Sequence, residues 1–141
     1  MHEYRTTRRV EFVDTDMARI VHFSRFFPYM EAAEHECLRQ LLGDGQEVHF
    51  EFEGREIGWP RVRATCDYRS PARLGDVLDV RVYVKRIGGK SLTWGFDFSC
   101  GKREIASGEI TAICCRVDGE SLEAIPIPPF LAERLSQAPV T

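Results

Sequence analysis

A single amphipathic helical segment constrains this chain most, because nearly all that follows it is typical of β-strands. Between Ser24 and Leu42, apolar residues recur at helical spacing, namely Phe26, Met30, Ala33, Cys37 and Leu41. Ser24 is the predicted N-cap, Pro28 fits only a first turn, and residues 43–45 (Gly-Asp-Gly) are predicted to end the helix. The opposite face is expected to be mostly solvated and carries Glu31, Glu34, His35 and Arg39. Other parts of the chain must therefore cover the apolar stripe.

The rest of the chain supplies one predicted strand before the helix and four after it. The first strand runs from Tyr4 to Phe12, and the others cover residues 61–69, 78–85, 92–98 and 105–117. Apolar and polar residues alternate most clearly in the segment 78–85, and Gly88-Gly89 predicts a hairpin after it. A last short helix is predicted at residues 130–136. These elements indicate one α+β domain, residues 1–141, in which an antiparallel sheet wraps around one long helix.

The composition is that of a soluble globular domain, with 43% apolar and 29% charged residues among 141. A net charge of −3 gives no global attraction to nucleic acid or to an anionic membrane, so neither partner is expected. No apolar run approaches the length of a membrane span, and the N-terminus lacks the apolar core of a signal peptide. The five cysteines form no CxxC pair and have no metal-ligand spacing. This predicts reduced thiols, no metal site and a cytoplasmic protein.

The first candidate site is the segment Asp14-Thr15-Asp16 together with His22-Phe23-Ser24, which lies at the predicted helix start. A carboxylate can act as nucleophile or general base, and the free N–H groups of a first helical turn can hold a developing oxyanion. The same acidic residues also occur in ordinary turns and caps. The spacing alone therefore leaves both a hydrolytic site and a structural turn open.

These residues also carry a resemblance to a known family. Residues 10–16 (Val-Glu-Phe-Val-Asp-Thr-Asp), 20–23 (Ile-Val-His-Phe) and 27–34 resemble the 4-hydroxybenzoyl-CoA thioesterase family, whose relatives include the Tol-Pal-associated acyl-CoA thioesterases. Later landmarks agree, namely Pro71, Gly75-Asp76, Gly88 with Ser91, Gly108 and Asp118-Gly119. The resemblance is collinear over about the whole chain. It implies a hot-dog fold, a homodimer or homotetramer, and hydrolysis of an acyl-CoA thioester, with coenzyme A as part of the substrate and no separate cofactor.

The resemblance implies roles for individual residues as well. The family's catalytic carboxylate falls on Asp16, whereas Asp14 is expected to fix the turn through backbone hydrogen bonds. The oxyanion donor is expected to be a backbone N–H between His22 and Ser24. Glu31 matches a frequent acid of the central helix. It is expected to be either a partly buried carboxylate bonded to the active-site loop or a group that acts directly in catalysis.

Two positions depart from the family pattern. Arg19 stands where the family usually has Gly, which permits a positive φ that Arg resists. Either the turn differs, or Arg19 is accommodated and its guanidinium faces the ligand. Phe23 stands where many relatives have Tyr or His, so only its backbone donor remains. His22 is an alternative acid–base group, or a residue that caps or packs at the helix start.

The substrate requires an apolar wall and a basic cluster. The wall for the acyl group is expected from Phe23, Phe27 and residues 57–60, which include Trp59. The coenzyme A phosphates are expected at the hairpin, where the candidates are Lys85, Arg86, Lys90 and Ser91. The alternatives are Arg61 with Arg63, and then Arg69 with Arg73. Further contacts to the substrate are expected from Arg19, Ser24 and Glu31.

Two other functions fit the same residues. A hot-dog hydroxyacyl-thioester dehydratase would use His22 with Glu31 across a subunit interface, although the two aspartates fit hydrolysis better. A non-catalytic acyl-CoA-binding protein is the second alternative. For hydrolysis, a thioester is already activated, and the chain has no Gly-x-Ser-x-Gly motif. Because the apolar strand faces exceed what one helix covers, we expect a dimer with a continuous sheet.

Overall fold

The computed structural model describes residues 1–43 and 48–138. Five long antiparallel strands form the main sheet: β1 (Glu3–Arg9), β4 (Arg61–Tyr68), β5 (Val77–Ile87), β6 (Ser91–Cys100) and β7 (Arg103–Ile113). Their order is β1-β5-β6-β7-β4, so β1 and β4 form the two edges. The predicted hairpin joins β5 to β6, and the Gly88 N–H donates to the Ser91 carbonyl at 2.8 Å.

The long helix α1 (Phe26–Leu42) packs against the inner face of this sheet. That face carries Trp94, Phe96 and Phe98, each at most 2% exposed. Burial of one such side chain stabilises the fold by about 1.5–3 kcal/mol. At Gly108 a Cβ atom would lie 2.3 Å from the Cε of Met30, so glycine permits the close approach of helix and sheet. The sheet therefore wraps around one central helix, as the sequence predicts.

The ends of α1 agree in part with the prediction. Pro28 lies in the first turn, and Gly43 caps the C-terminus with a positive φ of 94°. Residues 44 and 45 of the predicted stop lie outside the described residues. The predicted N-cap at Ser24 is wrong, because a separate 3-10 turn (Phe23–Arg25) precedes the helix and His22 caps that turn.

The predicted strand 105–117 is two strands in two sheets. β7 ends at Ile113, and β8 (Cys115–Asp118) joins β2 (Glu51–Phe52), β3 (Arg55–Gly58) and β9 (Ser121–Ala124) in the order β2-β3-β8-β9. Between them, the Cys114 N–H donates to the Lys90 carbonyl and its own carbonyl accepts from Ile125. At Cys114 the chain therefore leaves the five-stranded sheet and enters the four-stranded sheet. Strands of two to four residues show too little alternation to be predicted from sequence.

Two smaller differences concern the ends of the chain. The first strand stops at Arg9 instead of Phe12, because residues Phe12–Asp14 form a 3-10 turn. The last helix, α2 (Pro129–Ser136), begins one residue before the predicted start, and its buried side chains are Leu131 and Leu135.

The two edges of the main sheet differ in character. The exposed residues of β1 include Arg5, Arg8 and Arg9. By contrast, β4 exposes Val62 at 61% and Tyr68 at 47%. An open strand edge that also exposes apolar side chains is a template for pairing with another chain. The edge at β4 is thus the one suited to a partner.

Candidate active site

Asp14 holds the turn between β1 and the helix together. The side chain is 5% exposed, and its Oδ2 accepts the N–H of Glu11 at 2.9 Å. Its carbonyl accepts the N–H of His22 at 2.8 Å, and its Oδ1 lies 3.3 Å from the Nε of Arg25. The turn-fixing role predicted for this residue is confirmed by these bonds.

Asp16 lies in the same turn but is exposed. Its Oδ1 accepts the N–H of Ala18 at 2.8 Å, while its backbone N–H donates to the Ile20 carbonyl at 3.1 Å. The other carboxylate oxygen has no hydrogen-bond partner in the described part of the chain. An oriented carboxylate with one free oxygen can act as a nucleophile or accept a proton from water.

Arg19 keeps the turn that glycine would normally form. Its φ is 65°, in the left-handed region that non-glycine residues avoid, and its N–H donates to the Asp16 carbonyl at 2.9 Å. Of the two alternatives open from the sequence, accommodation of Arg19 is the one observed. It lines an open groove of about 750 Å³ whose other residues are Phe12, Thr15, Asp16, Met17, Arg73 and Leu74.

The 3-10 turn beside Asp16 leaves one backbone donor free. The Ser24 N–H donates to Nδ1 of His22 at 3.3 Å, and Ser24 Oγ lies 2.8 Å from the same nitrogen. The His22 N–H is taken by Asp14, whereas the Phe23 N–H has no acceptor among the described residues. Of the three predicted oxyanion donors, only Phe23 is therefore unoccupied. His22 caps this turn, which is one of the roles that the sequence left open.

Tyr68 was missed by the sequence analysis. It ends the edge strand β4, and its hydroxyl donates to the Phe23 carbonyl at 2.9 Å. Partial desolvation of the hydroxyl, together with a contact to Cys66, raises the pKa of Tyr68 to about 12, so the phenol remains a donor at neutral pH. An exposed tyrosine at a strand end carries no pattern that would reveal this bond.

Glu34 and Arg61 form a second polar cluster. Glu34 was expected on the solvated face of α1, but it is 1% exposed, and its Oε2 lies 2.9 Å from Nη1 of Arg61. A register shift between Arg61 and Arg63 interrupts the pairing of β4 with β7, and Arg61 stands opposite the buried Ala112. Burial raises the pKa of Glu34 to about 7, against the opposing effect of Arg61.

Glu31 belongs to this second cluster. It is exposed, and its Oε2 lies 3.6 Å from Nη2 of Arg61. Within one chain, Glu31 is thus exposed and contacts Arg61, so the predicted partial burial against the active-site loop is not observed there. A direct role of Glu31 in catalysis stays a prediction. One turn of helix separates it from Glu34, so both acids share the guanidinium of β4.

The residues expected to form the acyl wall have different environments. Trp59 is 8% exposed, and its buried Nε1 has no hydrogen-bond partner within residues 1–43 and 48–138. Phe27 is half-buried against the core, and Phe23 is 62% exposed beside the ring of His22.

The basic hairpin lies at the other end of β5 from the Asp16 turn. Val77 pairs with Arg9, which precedes that turn, whereas Ile87 leads into the hairpin. An eleven-residue strand separates the two ends by roughly 33 Å. Lys85 Nζ lies 2.7 Å from Glu109, while Arg86 and Lys90 are exposed. Within one chain the hairpin and Asp16 do not meet.

Neither a metal cluster nor a membrane-spanning helix is found in residues 1–43 and 48–138. No three His, Cys, Asp or Glu side chains there are grouped to hold an ion. No helix there has the length and apolar character needed to cross a membrane. Cys37, Cys66, Cys100, Cys114 and Cys115 are all free thiols.

Comparison with known proteins agrees with the fold. A family model described as the Thioesterase-like superfamily matches residues 10–135. A putative esterase of Aquifex aeolicus is 30% identical over 121 residues, which cover 84% of this chain and 88% of the relative. A 1,4-dihydroxy-2-naphthoyl-CoA hydrolase of Synechococcus elongatus is 25% identical over 135 residues, or 96% of each chain. A gentisyl-coenzyme A thioesterase structure has a TM-score of 0.80 and 27% identity, with 94% of this chain and 100% of that chain covered.

The five-stranded antiparallel sheet around one helix is a hot-dog fold, and the relatives identify the chain as a thioester hydrolase. The chain belongs to the Thioesterase-like superfamily.

Proposed function

We propose that the protein is an acyl-CoA thioesterase in which Asp16 reacts and the Phe23 N–H holds the oxyanion. The observation that carries this proposal is that one turn, held by backbone hydrogen bonds, has a carboxylate oxygen available at one end and a backbone N–H available at the other. Among the described residues, one carboxylate oxygen of Asp16 and the N–H of Phe23 have no hydrogen-bond partner. The bonds from Asp16 to Ile20 and from His22 to Asp14 fix the two ends of that turn relative to each other.

The chemistry requires little more than these two groups. Asp16 either attacks the thioester carbonyl to form a mixed anhydride, which water then hydrolyses, or removes a proton from the attacking water. In both routes negative charge develops on the carbonyl oxygen, and one positioned donor stabilises it by about 3–4 kcal/mol. The coenzyme A thiolate leaves when the tetrahedral intermediate collapses. The Tyr68 hydroxyl positions the donor by holding the Phe23 carbonyl.

Two copies of the chain complete the site by antiparallel pairing through β4. The open edge and the exposed Val62 and Tyr68 support this arrangement. Antiparallel pairing of a strand with its own copy brings the start of one strand beside the end of the other. The Arg61 end of the partner subunit then lies beside Tyr68 and Phe23 of this chain. Light scattering at micromolar concentration should give a dimer or a tetramer, and a monomer would contradict the arrangement.

The same pairing brings the partner's hairpin towards Asp16, which the chain's own hairpin does not reach. Arg86 and Lys90 bind the coenzyme A phosphates, next to Ser91, whereas Lys85 already contacts Glu109. Replacing all three basic residues with Gln should raise KM about tenfold and leave kcat nearly unchanged, since these contacts are remote from the thioester. Lys85→Gln alone is the matched control. An N-acetylcysteamine thioester lacks the nucleotide and should be insensitive to the triple change.

The acyl group and the branch of the family are also proposals. The relatives named above act on 1,4-dihydroxy-2-naphthoyl-CoA and gentisyl-coenzyme A, so aryl thioesters are the first class to test. The sequence motifs favour the 4-hydroxybenzoyl-CoA branch and a cytoplasmic location. Coenzyme A release from a panel of aryl and alkyl thioesters tests the function directly. Release from at least one thioester is expected, whereas binding or dehydration without release from any of them would refute hydrolysis.

A further inference from the structure

The groove beside Asp16 has apolar walls and two guanidinium groups that the mechanism above does not use. Its volume is about 750 Å³. Besides Asp16 and Thr15, the side chains that line it are the apolar Phe12, Met17 and Leu74 and the basic Arg19 and Arg73. Ligand sites in proteins commonly have this volume, a mostly apolar lining and a few polar groups. The groove therefore suits the part of a substrate that extends away from Asp16.

Three segments form the groove, and backbone hydrogen bonds hold them together. Within the acidic turn, the Thr15 N–H donates to the Phe12 carbonyl at 3.0 Å. The Val21 N–H donates to the Ala72 carbonyl at 2.8 Å, which joins this turn to the loop that carries residues 73–74. Because these bonds fix the walls before a ligand arrives, binding requires little further ordering of the backbone.

The apolar walls of the groove are exposed to an uncommon degree. Phe12 is 79% exposed and Leu74 57%, while Met17 is fully exposed. Apolar side chains that lie together on a surface mark a site for a ligand or a partner. These three side chains flank the carboxylate that reacts in the mechanism above, and the acyl group continues directly from the thioester carbonyl. The acyl group is thus the occupant that the position of the groove favours.

The two guanidinium groups indicate the charge of that occupant. The side chains of Arg19 and Arg73 have no ion-pair or hydrogen-bond partner in the described part of the chain, and Asp16 is the single acid in the lining given above. Arg19 also keeps a φ of 65°, which is unfavourable for any residue except glycine. Such strain persists mainly where a side chain has a function. Both observations favour an anionic group on the ligand.

We propose that the groove binds an acyl group with a second carboxylate at its far end, and that Arg19 and Arg73 bind this carboxylate. The proposal rests on the thioesterase function and on the reaction at Asp16 given above. A guanidinium can hold a carboxylate through two parallel hydrogen bonds, and two guanidinium groups offset its repulsion by Asp16. A neutral acyl group would contact the same walls and leave both charges unpaired. The substrate class is therefore the coenzyme A monothioesters of dicarboxylic acids.

The experiment compares thioesters that differ in the group at the far end of the acyl chain. One pair is adipoyl and hexanoyl, and the other is 4-carboxybenzoyl and benzoyl. All four are used as N-acetylcysteamine thioesters, which lack the coenzyme A phosphates. The wild type should favour the carboxylated member of at least one pair by about tenfold or more in kcat/KM, because charged hydrogen bonds discriminate strongly. Equal kcat/KM values within both pairs would overturn the proposal.

Variants of the lining residues separate the charges from the walls. Arg19→Gln and Arg73→Gln should each lower the preference, and the double variant should bring it close to unity. Arg19→Gly, which also relieves the strained turn, should lose as much preference as Arg19→Gln. Leu74→Ala should lower kcat/KM for both members of a pair alike and keep their ratio. Arg5→Gln removes an exposed guanidinium outside the groove and should leave the ratio unchanged.

The outcomes distinguish this inference from the thioesterase proposal. If neither these thioesters nor their coenzyme A counterparts are hydrolysed, the function itself fails. If the neutral members are hydrolysed and no carboxylated member is preferred, hydrolysis stands and the carboxylate site is refuted. If the two arginines instead bind phosphate, their variants should raise KM for hexanoyl-CoA and leave the N-acetylcysteamine ratios unchanged, which would also refute it. A loss of preference in Arg5→Gln equal to that in Arg73→Gln would assign the effect to overall charge and overturn the proposal.

Discussion

The Asp16 turn and the Glu34 cluster hold their carboxyl groups in opposite ways. Asp16 is exposed, and one oxygen is oriented by a backbone N–H while the other has no partner among the described residues. Glu34 is buried, with one oxygen against Arg61 and the other without a hydrogen-bond partner in the described part of the chain. An exposed, oriented carboxylate can meet water or an incoming carbonyl. A buried carboxyl group loses its hydration and must find partners inside the protein. The first arrangement leaves a carboxylate open to a substrate, whereas the second joins the helix to strand β4 through Arg61.

The largest expected effect is that of Asp16→Asn. Asn keeps an acceptor for the Ala18 N–H but lacks the negative charge, so kcat should fall by about 10³-fold or more with the fold intact. Steady-state kinetics measures the fall in kcat, and circular dichroism shows whether the variant is folded. Near-normal turnover in a folded variant would remove Asp16 from the reaction.

The pH dependence of stability in Glu34→Gln tests the environment of Glu34. The raised pKa means that folded Glu34 keeps its proton between about pH 4.5 and pH 7, where the unfolded chain loses it. Its contribution to stability is thus fully present below pH 4.5, is lost as pH rises to about 7, and then levels off. Gln does not titrate. As pH rises from 4.5 to 8, the free energy of unfolding of the variant should therefore increase by up to about 3 kcal/mol relative to that of the wild type. Urea unfolding at several pH values measures this difference in the free energy of unfolding. A difference that does not change with pH would contradict the raised pKa of Glu34.

Asp14→Asn separates the two acids of the turn. Asn keeps one acceptor but loses the charge beside Arg25 and weakens the bond from Glu11. We expect a loss of about 2 kcal/mol in the free energy of unfolding, measured in urea, with kcat falling far less than in Asp16→Asn. If Asp14→Asn were as stable as the wild type and as inactive as Asp16→Asn, the division of roles would be wrong.

The smallest expected effect is that of Arg19→Gly. Glycine removes the strain of a φ of 65° but adds backbone freedom to the unfolded chain. We expect Arg19→Gly to be more stable than Arg19→Ala by about 1 kcal/mol, since Ala retains the strain. Thermal unfolding of the two variants measures the difference. A rise in KM common to both variants would place the guanidinium on the substrate. Equal stability would show that the turn relaxes when Arg19 is replaced.

Most of the Asp16 region could be predicted from sequence because it is local. The turn and the helix start lie within ten residues of each other in sequence. The spacing of Asp14, Asp16 and Phe23 therefore already predicts that they lie in one region of the structure. The identity of the free N–H could not be predicted, since the bonds to Asp14 and His22 decide it. The Glu34 region was predicted wrongly, because helical periodicity assigns a polar residue to the solvated side.

The sequence by itself determined the single amphipathic helix, the long strands and the acidic turn between strand and helix. These follow from periodicity and turn chemistry, which act between near neighbours. Only the tertiary structure decided that Glu34 is buried, that Tyr68 holds Phe23 and that the chain changes sheets at Cys114. Each depends on a partner distant in sequence: Arg61 for Glu34, Phe23 for Tyr68, and Lys90 for Cys114. Burial and hydrogen bonding between distant segments are set by packing, which no local pattern encodes.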